Sequence, residues 1–168
     1  MISALRLLSL FVVALLLPAC YHLRLVADPI PPQSISVRQT PEEALRRIKK
    51  TLEKELHLRV VAEQRDGMVL ISTPHHFFTD TGFGQPAGGR KYFVQFQIEV
   101  DSSNGQSIVT VVPRHFELRT SYAYSSEGKL HTLYKVYPYE KYPGMFDINI
   151  MKREVKRVAG VIDRAMKE

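Results

Sequence analysis

Residues 92–100 read Tyr-Phe-Val-Gln-Phe-Gln-Ile-Glu-Val. Tyr92, Val94, Phe96, Ile98 and Val100 alternate with Phe93, Gln95, Gln97 and Glu99. A period of two puts the first set on one face and the second on the other, the pattern of a strand with one buried and one wet face. Downstream, Asp101 to Gly105 ends in Asn-Gly, a hairpin signal. Ser107 to Leu118 then returns as a long strand, in which Pro113 marks an edge or a bulge. Upstream, LRVVAEQ (58–64) and MVLIST (68–73) flank Arg65-Asp66-Gly67, which predicts another hairpin. Leu130 to Tyr137 reads as a last strand and Ser34 to Val37 as a short first one.

A sheet with one greasy face needs a second layer to cover it. Two segments have the right period. Thr40-Pro41-Glu42-Glu43 is a helix start: an N-cap threonine, proline at the first helical position and a capping-box glutamate. Leu45, Ile48, Leu52 and Leu56 follow at spacings of 3, 4 and 4, one apolar stripe. Arg46, Arg47, Lys49, Lys50 and Lys54 lie off that stripe and make the outer face basic. A second helix starts near Asp147 with Met151, Val155, Val158, Ile162 and Met166 on one side. The order β-α-β-β-β-β-β-α gives an α+β domain, an antiparallel sheet of about five or six strands packed by two amphipathic helices.

The chain has 168 residues, a formal charge of +6, 45% apolar and 24% charged residues. This mixture excludes a disordered tail, a collagen-like fibre and a polytopic membrane protein. The single cysteine excludes a disulfide framework and any multi-cysteine zinc or iron–sulfur site within one chain.

That cysteine closes an unusual N-terminus, MISALRLLSLFVVALLLPAC (1–20). Arg6 precedes an apolar core too short for the roughly 20 residues of a spanning helix, which is the shape of a secretory signal. Cleavage before Cys20 would put Leu17 at −3, too bulky for an ordinary signal peptidase. Leu17-Pro18-Ala19-Cys20 instead resembles the bacterial lipobox. The resemblance implies removal of residues 1–19, a thioether-linked diacylglycerol on Cys20 and an acylated amine, which together hold a chain firmly at a bilayer. Tyr21 rather than aspartate after the cysteine implies the outer membrane. The expected organisation is a signal peptide (1–19), a lipidated cysteine with a proline-rich tether (20–33) and one α+β domain facing the periplasm (34–168).

The layout of helix, hairpins and closing helix resembles the helix-grip domains of the C-subunit lipoprotein of the outer-membrane β-barrel assembly machine. Cys20-Tyr21-His22-Leu23-Arg24 is similar to the mature start of the lipopolysaccharide-assembly lipoprotein. Both resemblances imply a non-enzymatic scaffold at the outer membrane.

The motifs of catalysis are missing. No G-x-S-x-G elbow, H-E-x-x-H or P-loop lysine signature occurs. The glycines of residues 82–89 run into a strand rather than a helix and include Pro86, so they read as a hairpin loop. His75-His76 would face opposite ways on a strand and offer only Asp80 as a local third ligand, so no metal site is assigned. Glu99 and Glu117 resemble a carboxylate pair, but a wet strand face explains them without chemistry. His115 reads as a solvated strand residue. No catalytic residue, metal or cofactor is expected, and export makes nucleic acid an improbable partner despite the basic charge.

Two aromatic segments stand out. Residues 74–90 read as a loop carrying Phe77, Phe78 and Phe83. Residues 134–146 hold Tyr134, Tyr137, Tyr139, Tyr142 and Phe146 among prolines and lysines. Tyrosine covers interface area with few rotatable bonds and keeps a polar tip, which suits partner binding. The same aromatics would equally plug the ends of the sheet. The function expected is a lipid-anchored accessory subunit that docks another outer-membrane or periplasmic protein through residues 134–146. The alternative is a protein that binds or transports lipid or lipopolysaccharide, with Arg46, Arg47, Lys49, Lys50 and Lys54 meeting anionic headgroups.

Overall fold

A computed structural model describes residues 26–64, 68–82, 86, 88–103 and 106–168. The leader, Cys20 and the Asp66-Gly67 and Asn104-Gly105 turns lie outside the described residues.

Among the described residues seven strands and two long helices follow in the order β1 (Gln33–Val37), α1 (Pro41–Lys54), β2 (Val60–Gln64), β3 (Val69–Ser72), β4 (His75–Asp80), β5 (Arg90–Ser103), β6 (Gln106–Ser126), β7 (Lys129–Pro138) and α2 (Ile148–Lys167). The domain is α+β, with all strands antiparallel to their neighbours. Helix α1 begins as its sequence dictates: Thr40 Oγ1 accepts from the Glu43 amide at 3.3 Å. Helix α2 is capped by Asp147, whose carboxylate accepts from the Asn149 and Ile150 amides at 2.8 and 3.4 Å.

The two longest strands, β5 and β6, pair along their length from Arg90↔Thr120 to Ser103↔Gln106 and form the spine of the sheet. Each carries two shorter strands in tandem on its free edge. On β5, β4 covers residues 90–94 and β3 covers 97–99. On β6, β1 covers 107–111 and β7 covers 117–126. Pro113 falls between β1 and β7, where no ladder needs its missing N–H. A bulge follows at once, and in it the exposed His115 takes the left-handed φ of 46°.

Strand β4 corrects the loop reading of residues 75–80. HHFFTD has no alternation of apolar and polar residues to betray it. Pairing to β5 and the packing of its half-buried phenylalanines hold it instead.

The core lies on one face of the sheet. Tyr92, Val94, Phe96, Ile98 and Val100 are all buried, with Val109, Val111, Phe116 and Leu118 from β6 beside them. Ile48 and Leu52 of α1 and Met151, Val155, Val158 and Ile162 of α2 close over this layer. Burying side chains of this size contributes about 1.5–3 kcal/mol each. Between the helices and β1, Gln39 donates to the Met166 carbonyl at 2.7 Å, and Ser107 donates to the Gln39 carbonyl at 2.7 Å.

The other face is wet. Arg114 donates to Gln97, Gln97 donates to Glu99, and Arg119 forks onto Glu117 while lying 4.0 Å over the Phe93 ring. Glu117 stands opposite Phe93 and Glu99 opposite Thr110, so these two carboxylates do not meet.

The proline-rich segment is seen from Val26 onward, and it lies on the domain. Ile30 and Ala27 pack against the core, and Tyr139 Oη donates to the Asp28 carbonyl at 2.8 Å.

Candidate functional site

The hairpin of β6 and β7 outruns the sheet. Strand β5 reaches only to Thr120, while β6 continues to Ser126 and pairs there with β7 alone, from Ser121↔Tyr134 to Ser126↔Lys129. The turn is tight, with Glu127 and Gly128 at φ 51° and 73°, the handedness of a two-residue hairpin loop. Alternation divides the ribbon's side chains between two faces. Tyr122, Tyr124, His131 and Leu133 continue the core face beyond the helices. Leu130, Tyr134 and Val136 continue the wet face. Both carry exposed apolar groups: Leu130 is 78% exposed on the wet face and Tyr124 52% on the other. Tyr124 stacks on His131 at 5.2 Å, and Lys135 lies over Tyr122. Among the described residues no further strand pairs with this part of the ribbon, and a two-stranded ribbon by itself is marginal in water, which makes its exposed apolar surface a candidate contact surface.

This geometry divides the five aromatics expected to bind a partner. Tyr134 and Tyr142 are exposed, and Tyr137 is half-buried with its ring edge-on to Tyr142 at 5.3 Å. Tyr139 and Phe146 are corrections. They are buried core residues, with rings 5.2 Å apart and edge-on to Phe116 and Tyr92 respectively. They close the end of the sheet and present nothing to a partner. The exposed Tyr122, Tyr124, Leu130 and Leu133 were not singled out, because they sit in strands whose sequence does not say where the sheet stops.

The basic face of α1 is also divided. Arg46, Arg47, Lys50 and Lys54 line a groove of about 710 Å³ shared with Ala165 of α2 and with Glu168, which follows it. Lys49 points elsewhere, to Glu63 on β2 at 2.9 Å. Arg47 lies 3.4 Å from Glu43.

A third place was invisible in the sequence. His75 Nε2 of β4 meets Glu154 Oε1 of α2 at 3.0 Å, and Arg157 forks onto both oxygens of Glu154, each at 2.7 Å. Glu154 is only 6% exposed. Burial pushes its carboxyl up, but the Arg157 guanidinium and the His75 ring outweigh that and hold it below the ordinary range. The neighbouring His76 turns away and bonds Thr79 at 2.7 Å, as adjacent strand residues must. Asp80, the third ligand considered with the histidines, is instead ion-paired to Arg90 at 2.6 Å. Among the described residues no three His, Cys, Asp or Glu side chains gather to hold a metal ion. No described helix is long and apolar enough to cross a membrane.

No protein-family model and no curated protein matches the chain. Among solved structures it is similar to the crystal structure of a DUF4468 family protein from Bacteroides ovatus. The identity is 11% and the TM-score 0.44, over 82% of this chain and 85% of that one. A likeness at that level carries no functional argument.

Proposed function

We propose that the protein is a lipid-anchored envelope subunit without catalytic activity, whose domain docks an outer-membrane or periplasmic protein through the β6–β7 ribbon. The observation that carries this reading is the six-pair extension of the ribbon past the sheet, apolar on both faces. Among the described residues, β7 pairs only with β6. Its outer edge therefore offers a row of backbone donors and acceptors beside exposed Leu130, Tyr134 and Val136. The partner that fits adds a strand to this edge, with main-chain bonds for affinity and alternate side chains for specificity. Tyr142, packed edge-on to Tyr137, adds an exposed ring on the other face past the end of β7. The lipobox-like leader supports placement of the subunit at a bilayer through Cys20.

The test is capture of the full-length chain from its own envelope in mild detergent, with mass spectrometry of its N-terminal peptide and of what co-elutes. The expected result is an acylated Cys20 and one stoichiometric envelope partner, lost in Leu130→Glu/Tyr134→Glu. Both side chains point into solvent, so the unfolding midpoint should not change. A variant that retains the partner overturns the docking site, and an unmodified N-terminus overturns the anchor.

A further inference from the structure

The bonds made by Glu154 shape a groove on the outside of the domain. Phe77 and Phe78 of β4 form one wall; Ile150, Arg153, Glu154, Lys156 and Arg157 of α2 form the other, around about 530 Å³. That volume lies in the range of small-molecule sites. Glu154 is the one acid in the lining, and its oxygens are occupied by Arg157 and His75. Arg157 offsets that one acid, and Arg153 and Lys156 are left as the uncompensated cations of the described lining.

Arg157 is half exposed, with its side chain 50% accessible, yet its guanidinium is fixed by the fork onto Glu154. An arginine has five N–H donors, and those not used in the fork are already aimed outward. Meeting an anion there costs little side-chain entropy. Arg153 and Lys156 lie on the same side of the helix and complete a charged rim. The opposite wall is apolar, with both phenylalanine rings half-buried and reachable from the groove. A charged rim beside an apolar wall fits a molecule that is anionic at one end and hydrocarbon at the other.

The α1 groove is larger and has four cations, but Glu55 and Glu168 stand in its wall. One end of it, at Lys54, Glu55, Ala165 and Glu168, lies at the C-terminal ends of both helices, where the helix dipole is negative and repels an anion. The β4–α2 groove lies along the first half of α2, away from that negative end, and its one acid is already paired with Arg157 and His75.

We propose that the groove between β4 and α2 binds an anionic lipid. Arg153, Lys156 and Arg157 hold its phosphate, while Phe77, Phe78 and Ile150 take the first methylenes of its chain. The site stands apart from the β6–β7 ribbon and does not depend on how that ribbon is used.

The experiment is photo-crosslinking of the full-length protein in phosphatidylcholine nanodiscs containing a trace of phosphatidic acid with a photoreactive acyl chain. Labelled residues are mapped by mass spectrometry. The expected labels fall on β4 and the first half of α2, and unlabelled phosphatidic acid competes them away. Arg153→Gln/Lys156→Gln, which alters only exposed side chains, should lower the yield about tenfold, the loss of roughly one charge-assisted contact. Phe78→Ala should lower it independently. Competition by inorganic phosphate alone overturns the lipid assignment in favour of a free phosphate site. Competition by uncharged diacylglycerol overturns the role of the cations. Labels elsewhere, or a yield unmoved by both variants, overturn the site.

Discussion

His75 on β4 and Glu154 on α2, 79 residues apart in the chain, bond across the core at 3.0 Å and tie an edge strand to the closing helix. Arg157 neutralises the carboxylate from the solvent side. Removing the acid leaves His75 and Arg157 without their acceptor. Glu154→Ala should therefore cost about 1–3 kcal/mol, below the value for a fully buried pair because Arg157 reaches water. Urea denaturation at neutral pH checks this.

The same carboxylate sets an acid limit. Its folded-state affinity for protons is depressed from the ordinary 4.5. The stabilisation it gives is therefore complete above that value and lost as pH falls through the lower, folded one. Asp80 works in the same direction, since its bond to Arg90 and the Gly82 amide hold it low. The urea midpoint should fall below about pH 4.5, and Glu154→Gln should make that fall shallower. An identical acid limb in the variant would show that Glu154 is not its source.

The two faces of β5 should respond very differently to truncation. Phe96 is fully buried, and Phe96→Ala should cost about 3–5 kcal/mol. Gln97, one residue on, bonds only to side chains on the wet face, so Gln97→Ala should stay within about 0.5 kcal/mol. Equal effects would mean the core face has been misplaced.

Asp147 caps α2 through two amides, and Asp147→Ala should lower stability by about 1 kcal/mol. Asp147→Ser should restore most of it, because the cap needs an oxygen acceptor more than a charge. Thermal unfolding of the pair distinguishes the two contributions.

Gly128 lies in open space at φ 73°, so a side chain there meets no neighbour and pays only for backbone conformation. Gly128→Val should loosen the ribbon by about 1 kcal/mol or more without touching the core. Hydrogen exchange should quicken for amides 121–134 and leave those of β5 and α2 unchanged. Global destabilisation would show that the ribbon and the domain fold as one unit.

Much of this architecture was legible residue by residue. The alternation of Tyr92 to Val100, the stripe Leu45–Ile48–Leu52–Leu56 and the caps at Thr40 and Asp147 each depend on neighbours within a few positions. Strand β4 was not legible, because His75-His76-Phe77-Phe78 lacks a period. The surface role of Tyr134 and the core role of Tyr139 were equally hidden. They stand five positions apart, and nothing in either one's neighbourhood tells that one faces solvent and the other the core.

Sequence alone determined the α+β class, the polarity of both helices and of the strand at Tyr92 to Val100, and the lipobox-like leader, since these follow from local periodicity and short motifs. Tertiary structure decided which strand lies beside which: β1 on β6, β4 in tandem with β3 on β5, and β7 running out past the sheet. From that order came the contact of His75 and Arg157 with the buried Glu154, the groove beside it and the exposed ribbon. Each of these is set by how far one long strand outreaches its neighbours, a length that emerges only when distant segments compete for the same edge.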